Sequence, residues 1–178
     1  MSEIIQLLKD SGAIKFGDFI LASGKESKYY IDVKLAATKP WVLGQICKRI
    51  EKILDGFPKQ PDYISCVELG GVPLGVMVSD RWTLPLIIVR KAEKDYGTKG
   101  RLVGDFENGK TAVLVEDVTT TGASSLSAVN ALRDAGLLVD TVITVVDRQE
   151  GSGDAMSRAG IKLISLTTAK EILEAQHE

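Results

Sequence analysis

Histidine is almost missing from this chain. Its 178 residues hold one, His177, next to the C-terminal residue, so a mechanism that needs an internal histidine base is excluded. Cysteine is nearly as scarce. Cys47 and Cys66 stand far apart and without metal-ligand spacing, and two such thiols make no disulfide framework, which suggests a reducing cytoplasm. No stretch approaches the ~18 apolar residues of a membrane span. The opening MSEIIQLLKDSGAI carries acids and is too short and mixed to read as a signal peptide. Charge of one sign is missing too. Twenty-two basic and 24 acidic residues leave a net charge of −2, with no global basic footprint for nucleic acid and no acidic tail. Internal repeats and low-complexity segments are absent. What remains, 44% hydrophobic and 26% charged residues, is the composition of one globular domain of ordinary size.

Periodicity orders that composition. Residues 3–10 read as a short amphipathic helix stopped by Gly12, and 15–33 as two short strands around Ser23-Gly24-Lys25. A helix over 40–55 opens near Pro40 and closes before Gly56. Strands then alternate with helices: strands at 62–69, 84–90, 111–118, 139–147 and 161–166, helices at 71–81, 122–135 and 168–176, and a short helix after 147. Nearly all-apolar strands alternating with helices predict an α/β fold, a parallel twisted sheet with helices on both faces. In such sheets ligands bind beyond the carboxyl ends of the strands. Residues 91–109, polar and with four glycines, read as one long loop, a length that usually marks function.

One strand end stands out. In TAVLVEDVTTTGAS (111–124), two adjacent acids, Glu116 and Asp117, precede a hydroxyl-rich turn. Strand, tight turn and helix start form a phosphate cradle, because the first amides of a helix are unpaired and its dipole favours an anion. Thr119, Thr120, Thr121 and Ser124 add hydroxyl donors, and Gly122 permits close backbone approach. No lysine follows the glycine, so this is not a nucleotide-binding P-loop. The acids suit a sugar diol or a nearby divalent cation. The alternative is a threonine helix cap after a solvated strand end.

The segment from Glu116 and Asp117 through Val118, the threonines, Gly122, Ala123 and Ser124 resembles the phosphoribosyl-diphosphate signature of type I phosphoribosyltransferases. That resemblance implies ribose hydroxyls on Glu116 and Asp117 and the 5-phosphate on Thr119 through Ser124. Three further segments resemble the orotate-specific members of the family, and of these the short archaeal type most. FILASGKESKYYID (19–32) is similar to the segment that covers the base, so Tyr29 and Tyr30 are expected near the planar ring. Many bacterial members carry a lysine where this chain has Ala22, and Lys25 is the expected substitute. RKAEKDYGTKG (90–100) is similar to the mobile catalytic loop, with Arg90, Lys91, Lys94 and Gly97 in place and Tyr96 where a histidine is usual. Five basic and two acidic residues from 90 to 101 suit a departing pyrophosphate. VVDRQEG (145–151) resembles the family's Asp-Arg-Gln-Glu segment, which implies Arg148 at the orotate edge, where a guanidinium fork suits carbonyl and carboxylate oxygens. Thr120 would help with the orotate carboxylate. VELGGVPLG (67–75) resembles the family's pyrophosphate loop, which implies Glu68, Leu69, Gly70 and Gly71 as a binding turn that often holds a non-proline cis peptide.

The resemblance spans residues 15–150 and implies a single domain over 1–178. Residues 1–35 would contribute a small N-terminal hood over the base, and 91–109 would be the mobile loop. It implies transfer of ribose 5-phosphate from phosphoribosyl diphosphate to orotate, in de novo pyrimidine (UMP) synthesis. Lys94 and Lys91 would stabilise the leaving group with Arg90 in support, and Asp117 would stand beside the developing cation. Mg²⁺ would be held mainly through phosphoribosyl diphosphate, with no protein metal site. A homodimer with shared active sites follows from the same resemblance, and neither nucleic acid nor a membrane is an expected partner. Two other readings stay open: a purine-type phosphoribosyltransferase, and a non-catalytic regulator that binds phosphoribosyl diphosphate.

Overall fold

The structure is a computed structural model that describes residues 2–20, 26–91 and 100–175. Its centre is a six-stranded sheet built from β3 (Tyr63–Val67), β4 (Leu86–Val89), β5 (Leu102–Val103), β6 (Ala112–Thr119), β7 (Thr141–Asp147) and β8 (Lys162–Thr168). The spatial order is β5-β4-β3-β6-β7-β8. All neighbours pair in parallel except β4 with β5. β3 and β7 are buried along their whole length, as their near-continuous apolar sequences require of strands covered on both faces.

Alternate residues along each strand feed two cores. Ile64, Val113, Val115, Ile143 and Val145 pack with α1 (Glu3–Asp10), α2 (Val33–Ala37), α3 (Pro40–Asp55) and α4 (Gly71–Trp82). Val67, Ile87, Val89, Leu114 and Val142 pack with α5 (Ala123–Asp134) and α6 (Ser152–Arg158). The closing helix α7 (Ala169–Glu174) sends Ile172 to the first core. Pro40 occupies the first turn of α3 and Gly56 caps its end, as the sequence suggests.

The hood is smaller than residues 1–35. Ile4, Ile5, Leu7 and Leu8 of α1 belong to the main core. Only β1 (Ile14–Ile20) and β2 (Glu26–Ile31), an antiparallel pair with an irregularity between Phe16 and Phe19, form a separate sheet. The Asp32 N–H donates to Ala13 O at 2.8 Å and ties the foot of this hairpin to the domain.

Two other expectations are corrected. The long loop does not run to residue 109, because Leu102 and Val103 pair with Val89 and Ile88 as an antiparallel edge strand. Past it, Phe106 packs on the second core and the Glu107 N–H donates to the Tyr63 hydroxyl at 3.2 Å. Two paired residues are too few to show a period of two. Likewise the second strand of the hairpin stops at Ile31. Asp32 caps α2 by accepting the Leu35 N–H at 3.3 Å, and a five-residue helix is too short to declare a helical period.

Close packing of α4 on β3 sets the height of the turn between them. A Cβ on Gly75 would stand 2.8 Å from both Cβ and Sγ of Cys66 and 3.2 Å from Leu86 Cδ1. Alanine at this helical position gains about 1 kcal/mol of propensity. Overpacking costs about 1–3 kcal/mol. Gly75→Ala should therefore lower stability in a urea titration. A neutral or stabilising result would show that α4 can move off the sheet freely.

Candidate active site

The direction of sheet growth reverses between β3 and β6, since β4 lies on one side of β3 and β6 on the other. At such a switch point the loops leaving neighbouring carboxyl ends part and open a crevice. The turn Glu68–Gly71 leaves β3 here, and residues 120–122 leave β6. A cis peptide joins Glu68 to Leu69. Gly70 and Gly71 are buried, and a Cβ on Gly70 would run into the Asp117 carboxylate. A Cβ on Gly71 would come within 2.9 Å of Val115 O. The expected pyrophosphate turn is therefore in direct contact with the acid pair. Leu69, between them in the fold, is 73% exposed.

β6 does not end at the acids. It stays paired with β7 through Thr119, opposite Asp147, so Glu116, Asp117 and Val118 are strand residues. The Glu116 side chain is buried, and its Oε1 accepts the Asp117 N–H at 3.1 Å. Burial, then the side-chain hydrogen bond and the charge of Asp117, hold the Glu116 carboxyl well above the usual carboxylate range, with the Asp117 N–H and Lys91 opposing them. Thr120 and Thr121 form the turn, and Gly122 takes φ +85° as the N-cap of α5 with no side-chain cap. Gly122 also lies 3.4 Å from Ser152 Cα and Met156 Cε, measured from where a Cβ would be. Thr121 reaches only the Ala123 N–H, at 3.4 Å. Beyond the Ala123 N–H, the first amides of α5 have no side-chain cap among the described residues and stay open to an anion, and Thr121, Ala123 and Ser124 are exposed around them.

Arg148 enters from the end of β7. Its N–H donates to Thr119 O at 2.9 Å, and one guanidinium nitrogen meets Glu150 Oε1 at 3.0 Å. The guanidinium carbon stands 5.6 Å from the centre of the Tyr29 ring, within cation–π range. Its Nε is buried and has no acceptor among the described residues, which is costly unless something else supplies one. Tyr30 is not brought to Arg148. Strand alternation turns it to the other face of β2, where its ring lies 5.7 Å from that of Phe19.

The basic segment begins beside the same crevice. The Lys91 N–H donates to Glu68 Oε1 at 2.7 Å, and the Arg90 N–H donates to Arg101 O at 2.7 Å. Arg101 returns a bond from Nε to Arg90 O at 3.1 Å. Both ends of the segment are therefore fixed at the carboxyl end of β4. Lys94 and Tyr96 lie outside the described residues, as does Lys25 of the hairpin.

Comparison with known proteins agrees with this geometry. The family model for the phosphoribosyl transferase domain matches residues 40–171. An orotate phosphoribosyltransferase of Methanosarcina mazei is 47% identical over 172 residues, covering 97% of this chain and 91% of the relative. The chain belongs to the orotate phosphoribosyltransferase family. A crystal structure of an orotate phosphoribosyltransferase from Aeropyrum pernix superposes with a TM-score of 0.84 at 32% identity, over 98% of each chain. A UMP synthase of Leishmania donovani gives the same TM-score at 27% identity, and here this chain spans only 37% of the other's length.

Three residues of the site escape a reading of the family motifs. Lys34 of α2 puts its Nζ 3.8 Å from Asp117 Oδ2. Glu150 holds the Arg148 guanidinium. Asp147 accepts the Gln149 N–H at 2.8 Å and the Ser152 hydroxyl at 2.5 Å, which fixes the turn that carries Arg148. Asp147 and Glu150 lie inside the quoted Asp-Arg-Gln-Glu segment, so their nearness in sequence was the available signal. Lys34 gave none, since it follows the aromatic pair on a helix that the sequence does not announce.

The raised Glu116 carboxyl has a measurable consequence. A native group that keeps its proton while the unfolded chain loses it gives stability that is full below the unfolded pKa and declines as pH rises toward the folded value. Glu116→Gln removes that decline. The melting temperature of the variant relative to wild type, without substrate, should be higher at pH 8 than at pH 4.5. Equal differences at the two pH values would mean that Glu116 ionises normally.

Proposed function

We infer that the protein transfers ribose 5-phosphate from phosphoribosyl diphosphate to orotate, giving orotidine 5-monophosphate and pyrophosphate in pyrimidine biosynthesis. The observation that carries this reading is the meeting of two half-sites: the acid pair with the uncapped start of α5, and Arg148 with Tyr29. The first suits a phosphorylated ribose, with the diol on Glu116 and Asp117 and the 5-phosphate on the amides and hydroxyls of Thr119 through Ser124. The second suits a flat, oxygen-rich base. A buried guanidinium with an unused N–H asks for an acceptor, and the orotate ring offers carbonyl oxygens. Thr120 is assigned to the orotate carboxylate.

In the reaction the ring nitrogen of orotate gives up its proton to solvent and forms a bond to the anomeric carbon as the bond to diphosphate breaks and diphosphate leaves. Positive charge grows on the ribose and negative charge on the leaving group, so the protein positions reactants and stabilises charge. Asp117 stands beside the ribose. Lys91, Lys94 and Arg90 are assigned to the diphosphate, with Glu68 through Gly71 offering backbone donors around it. Tyr29, Lys25 and Tyr96 are assigned to the base, and Tyr30, turned toward Phe19, is not.

Mg²⁺ fits the donor set. Glu116 and Asp117 are hard oxygen donors, and no group of three His, Cys, Asp or Glu side chains gathers as a metal site among the described residues. Magnesium commonly takes one or two carboxylates and completes its shell with substrate phosphates and water. When bound it would neutralise diphosphate charge. The reading further includes a cytoplasmic homodimer whose basic segment reaches the partner's site. Two free, buried thiols suit a reducing compartment, and no helix among the described residues is long and apolar enough to cross a membrane.

The activity test is optical. Orotate absorbance should fall when phosphoribosyl diphosphate and Mg²⁺ are added, and the fall should stop on chelation. Adenine and hypoxanthine in place of orotate should release no pyrophosphate. Release with a purine and none with orotate would move the protein to the purine-type reading; a failure with all three bases would favour a binding protein. Shared sites have their own test. Inactive Lys94→Ala chains mixed with inactive Asp117→Ala chains should recover toward about one quarter of the wild-type rate, the share of intact sites in a random mixture of dimers. No recovery after exchange of subunits would mean that each chain uses its own Lys94.

A further inference from the structure

Lys34 is the unassigned cation of the site. It stands on α2, whose neighbouring residues Val33 and Ala36 are fully buried in the main core. Its backbone is therefore fixed on both sides, while its side chain is 55% exposed. The ammonium has two carboxylate neighbours, Asp32 Oδ1 at 3.5 Å and Asp117 Oδ2 at 3.8 Å. Asp32 is also the N-cap of α2. One lysine thus joins the foot of the base-covering hairpin to the acid that faces the ribose.

The electrostatic need is plain. Phosphoribosyl diphosphate carries several negative charges, yet its sugar must approach Glu116 and Asp117. Charged groups around Asp117 are Glu116 on the same strand and Lys34 from α2; Lys91 acts on Glu116 and bonds through its N–H to Glu68, and Asp32, the N-cap of α2, meets Lys34. Lys91 donates its backbone to Glu68 and belongs to the basic segment expected to serve the diphosphate. Lys34 alone among the described residues makes a side-chain ion pair with Asp117. Asp117 retains lone pairs for a sugar hydroxyl while this pair holds the carboxylate in place.

We propose that Lys34 is a positioning residue for the donor: through its ion pair with Asp117 it orients the ribose-binding carboxylate and offsets its charge, so that the polyanionic phosphoribosyl diphosphate can dock. This rests on the assignment of Asp117 to the ribose. Lys34 acts on donor binding rather than on orotate, because of its two carboxylate neighbours Asp32 serves as the cap of α2 and Asp117 is the one assigned to the donor.

The experiment is a double-mutant cycle with steady-state kinetics and calorimetric donor binding. Lys34→Met should raise the KM and the Kd for phosphoribosyl diphosphate roughly three- to tenfold, the scale of a partly exposed charge pair, with the orotate KM and the melting temperature unchanged. Lys34→Arg should restore most of the donor affinity. In an Asp117→Asn background, Lys34→Met should add little. A donor KM unmoved by Lys34→Met, while Asp117→Asn raises it, overturns the proposal and leaves the ribose assignment standing. A donor KM unmoved by Asp117→Asn overturns the assignment itself. Equal effects of Lys34→Met in both backgrounds overturn action through Asp117, and so does a failure of arginine to rescue a well-folded Lys34→Met protein.

Discussion

Contact between the Glu68–Gly71 turn and Asp117 is the constraint on which the site depends. The turn proposed as the diphosphate cradle and the acid proposed for the ribose must lie a few ångströms apart, because in the proposed reaction they serve the two sides of one glycosidic bond. β3 and β6 are neighbours in the sheet, but their following turns close up only when side chains are removed from between them. Gly70 has no room for a Cβ because of the Asp117 carboxylate, Gly71 because of Val115 O, and Gly75 because of Cys66. The three glycines act in series. Gly75 lowers α4 onto β3, Gly71 lets its first turn touch β6, and Gly70 brings backbone against the acid. The Lys91 N–H then reaches Glu68 in the same turn, which places the start of the basic segment beside the cradle.

The same closeness creates an electrostatic difficulty that the surroundings reduce. Two consecutive carboxylates in a site for a polyanion would repel each other and the substrate. Burial of Glu116 favours its neutral form, and a neutral carboxyl both donates and accepts hydrogen bonds. That suits a pair of sugar hydroxyls better than two full charges would. Asp117 is met from the other side by Lys34. The acid pair is therefore one buried carboxyl with a raised pKa and one ion-paired group, and the lysine that meets Asp117 comes from a different element of the fold.

Much of this is legible in the chain because the core strands are apolar almost without interruption. That property announces a parallel, twice-covered sheet, and with it the end of the sheet at which ligands bind. The acids at 116 and 117 and the hydroxyl-rich turn are legible for the same reason: they are polar where the strand pattern demands apolar residues. Lys34, by contrast, has the bland sequence signature of a surface lysine. Its meaning comes from α2 crossing the carboxyl end of β6, a tertiary fact carried by a helix too short to show a period. β5 escapes for a similar reason, since two residues of antiparallel pairing leave no pattern. The paired tyrosines show a third limit. Sequence places Tyr29 and Tyr30 together, but a strand sends neighbours to opposite faces, and only Tyr29 meets Arg148.

Donor and acceptor recognition are divided between parts of the chain with different mechanical support. The groups expected to hold phosphoribosyl diphosphate lie at the ends of β3, β4 and β6, whose directions are fixed by the two cores. Of the groups assigned to the base, Arg148 stands on a turn braced by Asp147, and Tyr29 comes from a two-stranded sheet outside the main one. A change of base then requires changes in the hairpin and one turn, with the donor half untouched. This is why the resemblance carried by residues 111–124 implies only a phosphorylated ribose and leaves the acceptor open. The acceptor is specified only where a distant hairpin folds back over the end of β7. Lys34 stands at the joint of those two halves, with Asp32 of the hairpin foot on one side of its ammonium and Asp117 on the other.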